Sequence, residues 1–273
     1  MEFEIKLESQ PVIKAWVLKP ATEATGVIIF IHGLGDHFGR YSRWTSRFLE
    51  KGIAVIAADL PGHGLSEGKR GHIAGLDVVN QLLENLLSVS GKEFPSQSAI
   101  LYGHSLGGLL VLNWLYSNSG SIERAIITSP WLKLSFDPPK LKILLAKIVK
   151  SILPGLIQPT GLIPEYFSHD PEVAIGYRND KLTHEKVSVR LFFDCYMAAR
   201  KILDNPGVIK SCILLIHGGD DKITSPDGSR EFHKTSGNTT LKIWEGGYHE
   251  LHNELFKDEL FEFIINWVEN KKV

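Results

Sequence analysis

Segment 103–107 reads Gly-His-Ser-Leu-Gly and places Ser105 in the pattern G-x-S-x-G. An apolar run at 99–102 precedes this segment directly, and a helix-like stretch at 109–115 follows it. A turn between such a strand and helix is so sharp that its flanking positions have no space for side chains, so glycine is needed there. The turn lifts the serine hydroxyl off the end of the sheet at the cost of a strained backbone. The pattern therefore predicts that Ser105 is a nucleophile.

A serine hydroxyl is a weak nucleophile unless a histidine removes its proton and a third group orients that histidine. In chains with this serine turn, the acid follows the serine and the histidine follows the acid. Asp221 lies in a glycine-flanked loop directly after the apolar run 213–216. His249 lies in a similar loop directly after the run 241–244. We therefore predict that His249 is the base and that Asp221 orients it.

Two neighbours compete for these roles. Asp220 adjoins Asp221, and because adjacent side chains diverge in a tight turn, only one of the two carboxylates can face the histidine. We favour Asp221 and expect Asp220 to cap the turn. His252 lies where the final helix is predicted to begin, whereas His249 follows a predicted strand, as Ser105 and Asp221 do. We therefore favour His249 as the base.

The glycine-rich loop after the third apolar run could supply the second part of the chemistry. Attack on an ester carbonyl creates an oxyanion, which needs two preorganised backbone N–H donors. One donor is expected from the residue after the nucleophile, which is Leu106, and the other from the loop after the third strand. Segment 32–35 reads His-Gly-Leu-Gly and follows the run 27–31. We therefore predict an oxyanion hole formed by the N–H groups of Leu34 and Leu106.

The elements that must position these residues alternate between strands and helices. Continuous apolar runs suit strands that are buried on both faces of a mainly parallel sheet. The predicted strands are 3–7, 13–18, 27–31, 53–57, 99–102, 125–128, 213–216 and 241–244, and helical patterns occur near 41–51, 76–90, 106–117, 227–235 and 253–270. This alternation predicts an open α/β sheet that binds its ligand at the carboxyl ends of the strands. Each candidate above lies at such an end.

One long interval interrupts the alternation. From about 133 to 204 no strand pattern occurs, although helical patterns and prolines do, and this is too long for a structureless loop. We predict a mainly helical cap at 133–205, inserted after the sixth strand into a core formed by 1–132 and 206–273.

Composition excludes several classes of protein. The 273 residues have a formal net charge of -1, from 30 Lys and Arg against 31 Asp and Glu, which gives no basic surface for nucleic acid. Cys195 and Cys212 are too few for a disulfide framework. The start of the chain is acidic and lacks an apolar leader, and no apolar run is long enough to span a membrane. The sequence predicts a cytoplasmic protein.

Metal and nucleotide motifs are incomplete. Segment 249–252 reads His-Glu-Leu-His, but the zinc motif H-E-x-x-H would need histidine where Asn253 stands. The glycines around Ser105 lack the Lys-Ser/Thr ending of a phosphate-binding loop. We predict no metal and no cofactor.

These motifs together resemble the α/β-hydrolase family, and more narrowly its monoacylglycerol lipase (lysophospholipase-like) branch. The similar segments are 32–37 with 39–41, 59–68, 103–108, Asp221 and 248–252, with a weaker likeness at 179–184. Leu106 stands where this branch commonly has methionine. The resemblance implies an eight-stranded, mostly parallel sheet with a helical cap. It also implies that the chain cleaves monoacylglycerols through an acyl-serine intermediate, with a single-chain acyl ester lipid as its partner.

The cap predicts how such a lipid would be held. Segment 140–153 has a broad apolar arc and a face that bears lysines. The apolar arc could pack over the active site, or it could contact a membrane or lipid aggregate, and the two roles are compatible. The residues predicted to line an acyl channel are Ile143, Leu144, Ile148, Phe167, Phe192 and Tyr196.

Other functions use the same machinery. Lysophospholipids, short- or medium-chain esters and thioesters are alternative substrates for a serine, histidine and acid of this kind. A further alternative is a small-molecule receptor that keeps the three residues but turns over little, because fold alone does not decide function. The sequence leaves the oligomeric state open.

Overall fold

A central mixed sheet of eight strands organises the molecule. The computed structural model describes residues 1–8, 10–136 and 138–270. The strands of the described part are β1 (Glu2–Ile5), β2 (Ile13–Leu18), β3 (Gly26–Ile31), β4 (Ile53–Ala58), β5 (Ala99–His104), β6 (Arg124–Thr128), β7 (Ile157–Pro159), β8 (Lys186–Ser188), β9 (Cys212–Gly218) and β10 (Thr239–Trp244). The central sheet has the order β1-β2-β4-β3-β5-β6-β9-β10.

Most strands of this sheet run in the same direction. From β4 to β10 every neighbouring pair is parallel, whereas β1 pairs antiparallel with β2 and β2 pairs antiparallel with β4. The carboxyl ends of the parallel strands therefore lie along the same edge. The predicted α/β-hydrolase fold with an eight-stranded, mostly parallel sheet is confirmed.

Helices cover both faces of the sheet. In the described residues they are α1 (Ser42–Glu50), α2 (Leu76–Glu93), α3 (Leu106–Ser117), α4 (Lys140–Ile152), α5 (Pro171–Asn179), α6 (Val189–Asp204), α7 (Pro226–Thr235) and α8 (Lys257–Glu269). One apolar core lies between the sheet and α2, α3, α6 and α7, and a second lies between the opposite face and α1 and α8. Strands β3 and β4 contribute to both cores, which explains their continuous apolar sequence.

The insertion after β6 is helical, as predicted, with one addition. It contains α4, α5 and α6, and also a short antiparallel pair formed by β7 and β8. The apolar face of α6 belongs to the first of the two cores, between the sheet and α2, α3, α6 and α7. Its residues Leu191, Cys195 and Ile202 are buried there. The cap limits of 133 and 205 remain a prediction.

The chain after β10 departs from the predicted helix 253–270. A single 3-10 turn at Leu251–Asn253 comes first, and α8 begins only at Lys257. Between them, the Glu254 carboxylate accepts a hydrogen bond from the Tyr248 N–H at 2.8 Å. This contact holds the loop that carries His249 in a compact shape.

In the described part of the chain, no helix has both the length and the apolarity needed to cross a membrane.

Candidate active site

Ser105 occupies the turn between β5 and α3 in a strained conformation. Its φ of 54° lies in the left-handed region that side chains other than glycine rarely adopt. The flanking glycines make the turn sterically possible. A Cβ on Gly103 would lie 2.4 Å from the Gly107 carbonyl oxygen, and a Cβ on Gly107 would lie 2.1 Å from that of Ile31. The structure thus shows the sharp strand-to-helix turn that the sequence pattern predicts.

The structure brings Ser105, His249 and Asp221 into one hydrogen-bonded row. His249 Nε2 lies 2.9 Å from Ser105 Oγ, and His249 Nδ1 lies 2.7 Å from Asp221 Oδ2. All three residues are at least nine-tenths buried. A row of this geometry can pass the serine proton to the imidazole while the carboxylate fixes the histidine tautomer.

Neither sequence competitor takes part in this row. Asp220 is exposed to solvent. His252 is buried away from the serine and stacks on Tyr41, with ring centroids 4.7 Å apart.

The Asp221 carboxylate is held from every side. Oδ1 accepts hydrogen bonds from the backbone N–H groups of Ile223 and Thr224, at 2.8 and 3.0 Å. Oδ2 accepts one from the Thr224 hydroxyl at 2.9 Å, in addition to that from His249. The carboxylate is therefore fixed before any substrate arrives.

His217 is a further partner of Asp221 that sequence reasoning missed. The Ser229 hydroxyl lies 2.7 Å from His217 Nδ1, and His217 Nε2 lies 3.1 Å from Asp221 Oδ2. If the hydroxyl donates to Nδ1, Nε2 carries the proton and donates to the carboxylate. The available signal was its position at the end of β9, shortly before the loop that contains the predicted acid.

The electrostatics of this row favour an ionised acid and a basic imidazole. Burial alone would raise the pKa of Asp221, but the charge of His249 and the hydrogen bonds from His217 and His249 hold it well below its ordinary value. Burial alone would lower the pKa of His249, but the Asp221 carboxylate outweighs it and raises that pKa above 6.5. His249 is thus prepared to accept a proton.

The two other histidines beside His249 have lowered pKa values. Burial and the neighbouring histidines hold the pKa of His104 well below its ordinary value. Burial lowers the pKa of His252 to about 3. Both are therefore neutral at physiological pH, and His249 is the member of this cluster that takes up a proton.

The loop after β3 passes directly over the serine. A Cβ on Gly33 would lie 3.4 Å from Ser105 Cβ. The His32 ring bridges two backbone groups here: Nδ1 lies 2.8 Å from the Gly33 carbonyl oxygen, and Nε2 accepts from the Leu60 N–H at 2.9 Å. The Gly33 carbonyl and the Leu34 N–H belong to one planar peptide. His32 therefore fixes the direction of the N–H that the sequence predicts for the oxyanion hole.

The other predicted donor, the Leu106 N–H, lies at the beginning of a helix. Leu106 is the first residue of α3, and N–H groups in the first turn of a helix have no acceptor within the helix. They also lie at the positive end of the helix dipole. An amide in this position is suited to a developing negative charge.

A largely apolar cavity opens from Ser105. Its apolar lining comprises Leu34, Trp131, Leu134, Phe136, Leu162, Phe167, Val187, Phe192 and Ile223. Phe136 is 56% exposed, which places it at the rim of the cavity. This lining can accommodate a hydrocarbon chain next to the nucleophile.

The structure places two of the six residues predicted for an acyl channel at this cavity. Phe167 and Phe192 line the cavity, but Ile143, Leu144, Ile148 and Tyr196 are not among its lining residues. The physical reason is the placement of α4, which packs on α6 with Lys150 paired to Asp194. Leu144 and Ile148 are more than half exposed as a result. Tyr196 stacks on Phe192 one turn further along α6.

A buried ion-pair network lies beside the row of Ser105, His249 and Asp221. Arg40 Nη2 donates to both carboxylate oxygens of Glu250, at 3.2 and 3.0 Å. Arg40 Nε lies 3.0 Å from Asp36 Oδ1, a charge contact without hydrogen-bond geometry. Burial and the charge of Asp36 raise the pKa of Glu250, although Arg40 opposes them. Asp36 and Glu250 also line the cavity, and so give it one polar end.

The sheet topology, the inserted helices and the serine turn define an α/β hydrolase. The sequence model of the family described as "Serine aminopeptidase, S33" matches residues 22–255, and the chain belongs to this family.

Two of the proteins that this chain resembles are monoacylglycerol lipases. The monoacylglycerol lipase of Mycolicibacterium smegmatis is 27% identical over 255 residues, which cover 92% of this chain and 91% of that protein. The crystal structure of the Paleococcus ferrophilus monoacylglycerol lipase superposes with a TM-score of 0.85 at 31% identity, covering 93% of this chain and 98% of that one. The chain is thus a hydrolase that resembles monoacylglycerol lipases.

An uncharacterized abhydrolase-domain protein of Dictyostelium discoideum is 33% identical over 263 residues. The match covers 95% of this chain but only 28% of that longer protein.

Proposed function

We propose that this protein is a serine ester hydrolase that cleaves monoacylglycerols into glycerol and a free fatty acid. The observation that favours this substrate is the cavity, in which Ser105 lies between an apolar lining and the polar end formed by Asp36 and Glu250. An acyl chain fits the first part and a polyol fits the second, because hydroxyl groups can donate to carboxylates. The resemblance to monoacylglycerol lipases agrees with this division.

In the proposed first step, Ser105 becomes acylated. His249 Nε2 takes the hydroxyl proton while Ser105 Oγ attacks the ester carbonyl, and the N–H groups of Leu34 and Leu106 stabilise the oxyanion. When the intermediate collapses, the bond between the carbonyl carbon and the alcohol oxygen breaks. His249 gives its proton to that oxygen, and glycerol leaves.

In the second step, water releases the acyl group. His249 accepts a proton from water, whose oxygen attacks the acyl carbonyl and forms a second oxyanion in the same place. Collapse breaks the bond to Ser105 Oγ, and His249 returns the proton to the serine. A fatty acid is released and the starting state is restored.

A substrate panel tests this proposal. We expect monoacylglycerols to be turned over many times per protein molecule, with higher kcat/KM than triacylglycerols, lysophospholipids, short aryl esters or acyl-CoA of matched chain length. A higher kcat/KM for a lysophospholipid or a thioester would replace monoacylglycerol with that substrate. A single burst of product equal to the amount of protein would instead indicate a receptor with little turnover.

The pH dependence of kcat/KM follows from His249. The imidazole must be neutral to accept the serine proton, and its raised pKa keeps it charged to a higher pH than an ordinary histidine. Activity is therefore lost as the pH falls through this pKa. We expect the acid limb measured with a neutral ester to have its midpoint above pH 6.5. A midpoint below that value would contradict the assigned pairing with Asp221.

The exposed face of α4 supports a proposed contact with lipid surfaces. Leu141, Leu144, Leu145, Ile148 and Ile152 are each about half exposed or more. Lys142 and Lys147 on the same helix are also exposed, and their charge complements anionic lipid headgroups. We propose further that this protein is cytoplasmic and meets its substrate at such a surface.

Sedimentation with vesicles tests this contact. We expect the protein to sediment with phosphatidylglycerol vesicles. The double variant Leu144→Asp with Ile148→Asp should bind these vesicles about tenfold more weakly, or weaker still, because it places two charges in the apolar face. Leu255→Asp is the matched control, since Leu255 is also exposed, at 73%, but lies outside the cap, just before α8. Equal binding by the double variant and the control would contradict a contact through α4.

A further inference from the structure

The polar end of the cavity presents negative charge to a ligand. Asp36 and Glu250 both line it, and each is only 4% exposed. Among the described residues that line the cavity, none is lysine or arginine. Arg40 lies behind the two carboxylates and lines a groove on the outer surface instead. A ligand inside the cavity therefore meets the carboxylates before it meets the guanidinium.

The charges at this end do not balance. Arg40 provides one positive charge, whereas Asp36 and Glu250 provide two negative charges when both are ionised. The neighbouring Asp221 is a further negative charge while His249 is neutral. Charges in a buried site act on one another more strongly than in water. Burial raises the pKa of Glu250, and the charge of Asp36 adds to this effect, although Arg40 opposes it.

Chain positions indicate which part of the substrate meets these charges. Glu250 directly follows His249, which delivers a proton to the leaving alcohol in the proposed mechanism. Asp36 lies in the loop that contains Leu34, beside the proposed oxyanion hole. The acyl chain is taken by the apolar lining. The alcohol must then point toward the two carboxylates.

We propose that Glu250 determines specificity for the charge of the alcohol. Together with Asp36 it makes the alcohol end of the cavity negative, so that esters of neutral or cationic alcohols are selected over esters of anionic alcohols such as glycerol phosphate. This inference deepens the proposed function and rests on it for the direction in which the alcohol points.

Three esters of one fatty acid test the selection in the unaltered protein. The probes are octanoyl glycerol, octanoyl glycerol 3-phosphate and octanoylcholine, which present neutral, anionic and cationic alcohols. We expect kcat/KM for the anionic ester to be about tenfold or more below the values for the other two. Equal kcat/KM for the neutral and the anionic ester would overturn the proposal.

Glu250→Gln tests the residue itself, because glutamine keeps the shape and removes the charge. We expect the kcat/KM ratio of anionic to neutral ester to rise about tenfold, and the ratio of cationic to neutral ester to fall. Glu250→Asp, which keeps the charge, should retain the original order. The matched control is Glu245→Gln, an identical change at an exposed position of the same loop, which should leave both ratios unchanged. Equal ratios in Glu250→Gln and the parent protein would overturn the assignment.

This test separates the two proposals. If octanoyl glycerol is a poor substrate, the proposed function fails, but the cationic and anionic esters still report the charge preference. If octanoyl glycerol is a good substrate and the anionic ester is equally good, only the role of Glu250 fails. Should Glu250→Gln not fold, the order of the three esters in the unaltered protein decides the charge selection.

Discussion

Replacing Ser105 with alanine is expected to reduce ester turnover by about 10⁴-fold or more, because no other group can form the acyl intermediate. The fold should be kept, since the serine hydroxyl bonds only to His249 among the described contacts and its backbone strain is tolerated with alanine's small side chain. The measurement is kcat/KM for a monoacylglycerol and for a p-nitrophenyl ester, beside a thermal unfolding curve. Turnover of either ester near the parental rate would refute the assignment of Ser105 as nucleophile.

A second serine provides the control for this experiment. Ser119 is exposed near the end of α3 and lies outside the cavity, so Ser119→Ala should keep full activity. Acylation can also be followed directly. A fluorophosphonate probe, which reacts with activated serines, should label the parent protein and Ser119→Ala at one site, and should leave Ser105→Ala unlabelled.

Strand ends made it predictable from the sequence that Ser105, Asp221 and His249 come together. Ser105, Asp221 and His249 each follow an apolar run directly, and parallel strands end at one edge of a sheet. Chain order and glycine flanks were then enough to choose among several histidines and aspartates. The need for glycine at positions 103 and 107 was also predictable, because backbone oxygen atoms occupy the space where a side chain would lie.

Contacts between distant segments were not predictable in this way. Arg40 and Glu250 are separated by 210 positions, and no spacing in the sequence indicates that they pair. The helix α4 shows a related limit. Its pattern reveals which face is apolar but not whether another element covers that face, and the structure leaves Leu144 and Ile148 exposed. The predicted channel residues on α4 therefore lie outside the cavity, because their position depends on packing.

For His217 the sequence indicated the position of the residue but not its role. Its position near the end of β9 was visible, but a histidine at a strand end can be a base, a ligand or a structural donor. Only the hydrogen bonds decide between these roles. Here Ser229 and Asp221 occupy its two ring nitrogens, so that His217 supports the acid and does not reach the serine.

Replacing Asp221 with asparagine is expected to lower kcat by about 10⁴-fold while Ser105 and His249 remain in place. The Asp221 oxygens face donors on both sides: Oδ1 faces two backbone N–H groups, and Oδ2 faces His249 and the Thr224 hydroxyl. The amide NH₂ of asparagine would therefore oppose a donor in either orientation. Facing His249, it favours the tautomer with the proton on Nε2, which cannot accept the serine proton.

The neighbouring aspartate makes this a matched experiment, because Asp220→Asn is the same chemical change one position away. Asp220 is exposed, so its replacement should leave kcat within about twofold of the parent value. Residual activity of Asp221→Asn should also show an acid limb at lower pH, since the carboxylate that raises the pKa of His249 is gone and burial alone lowers it. A large loss of activity in Asp220→Asn with little loss in Asp221→Asn would transfer the role of the acid to Asp220. The shift of the acid limb separates loss of the orienting charge from general damage, because a merely loosened site would lose rate without moving the pKa of His249.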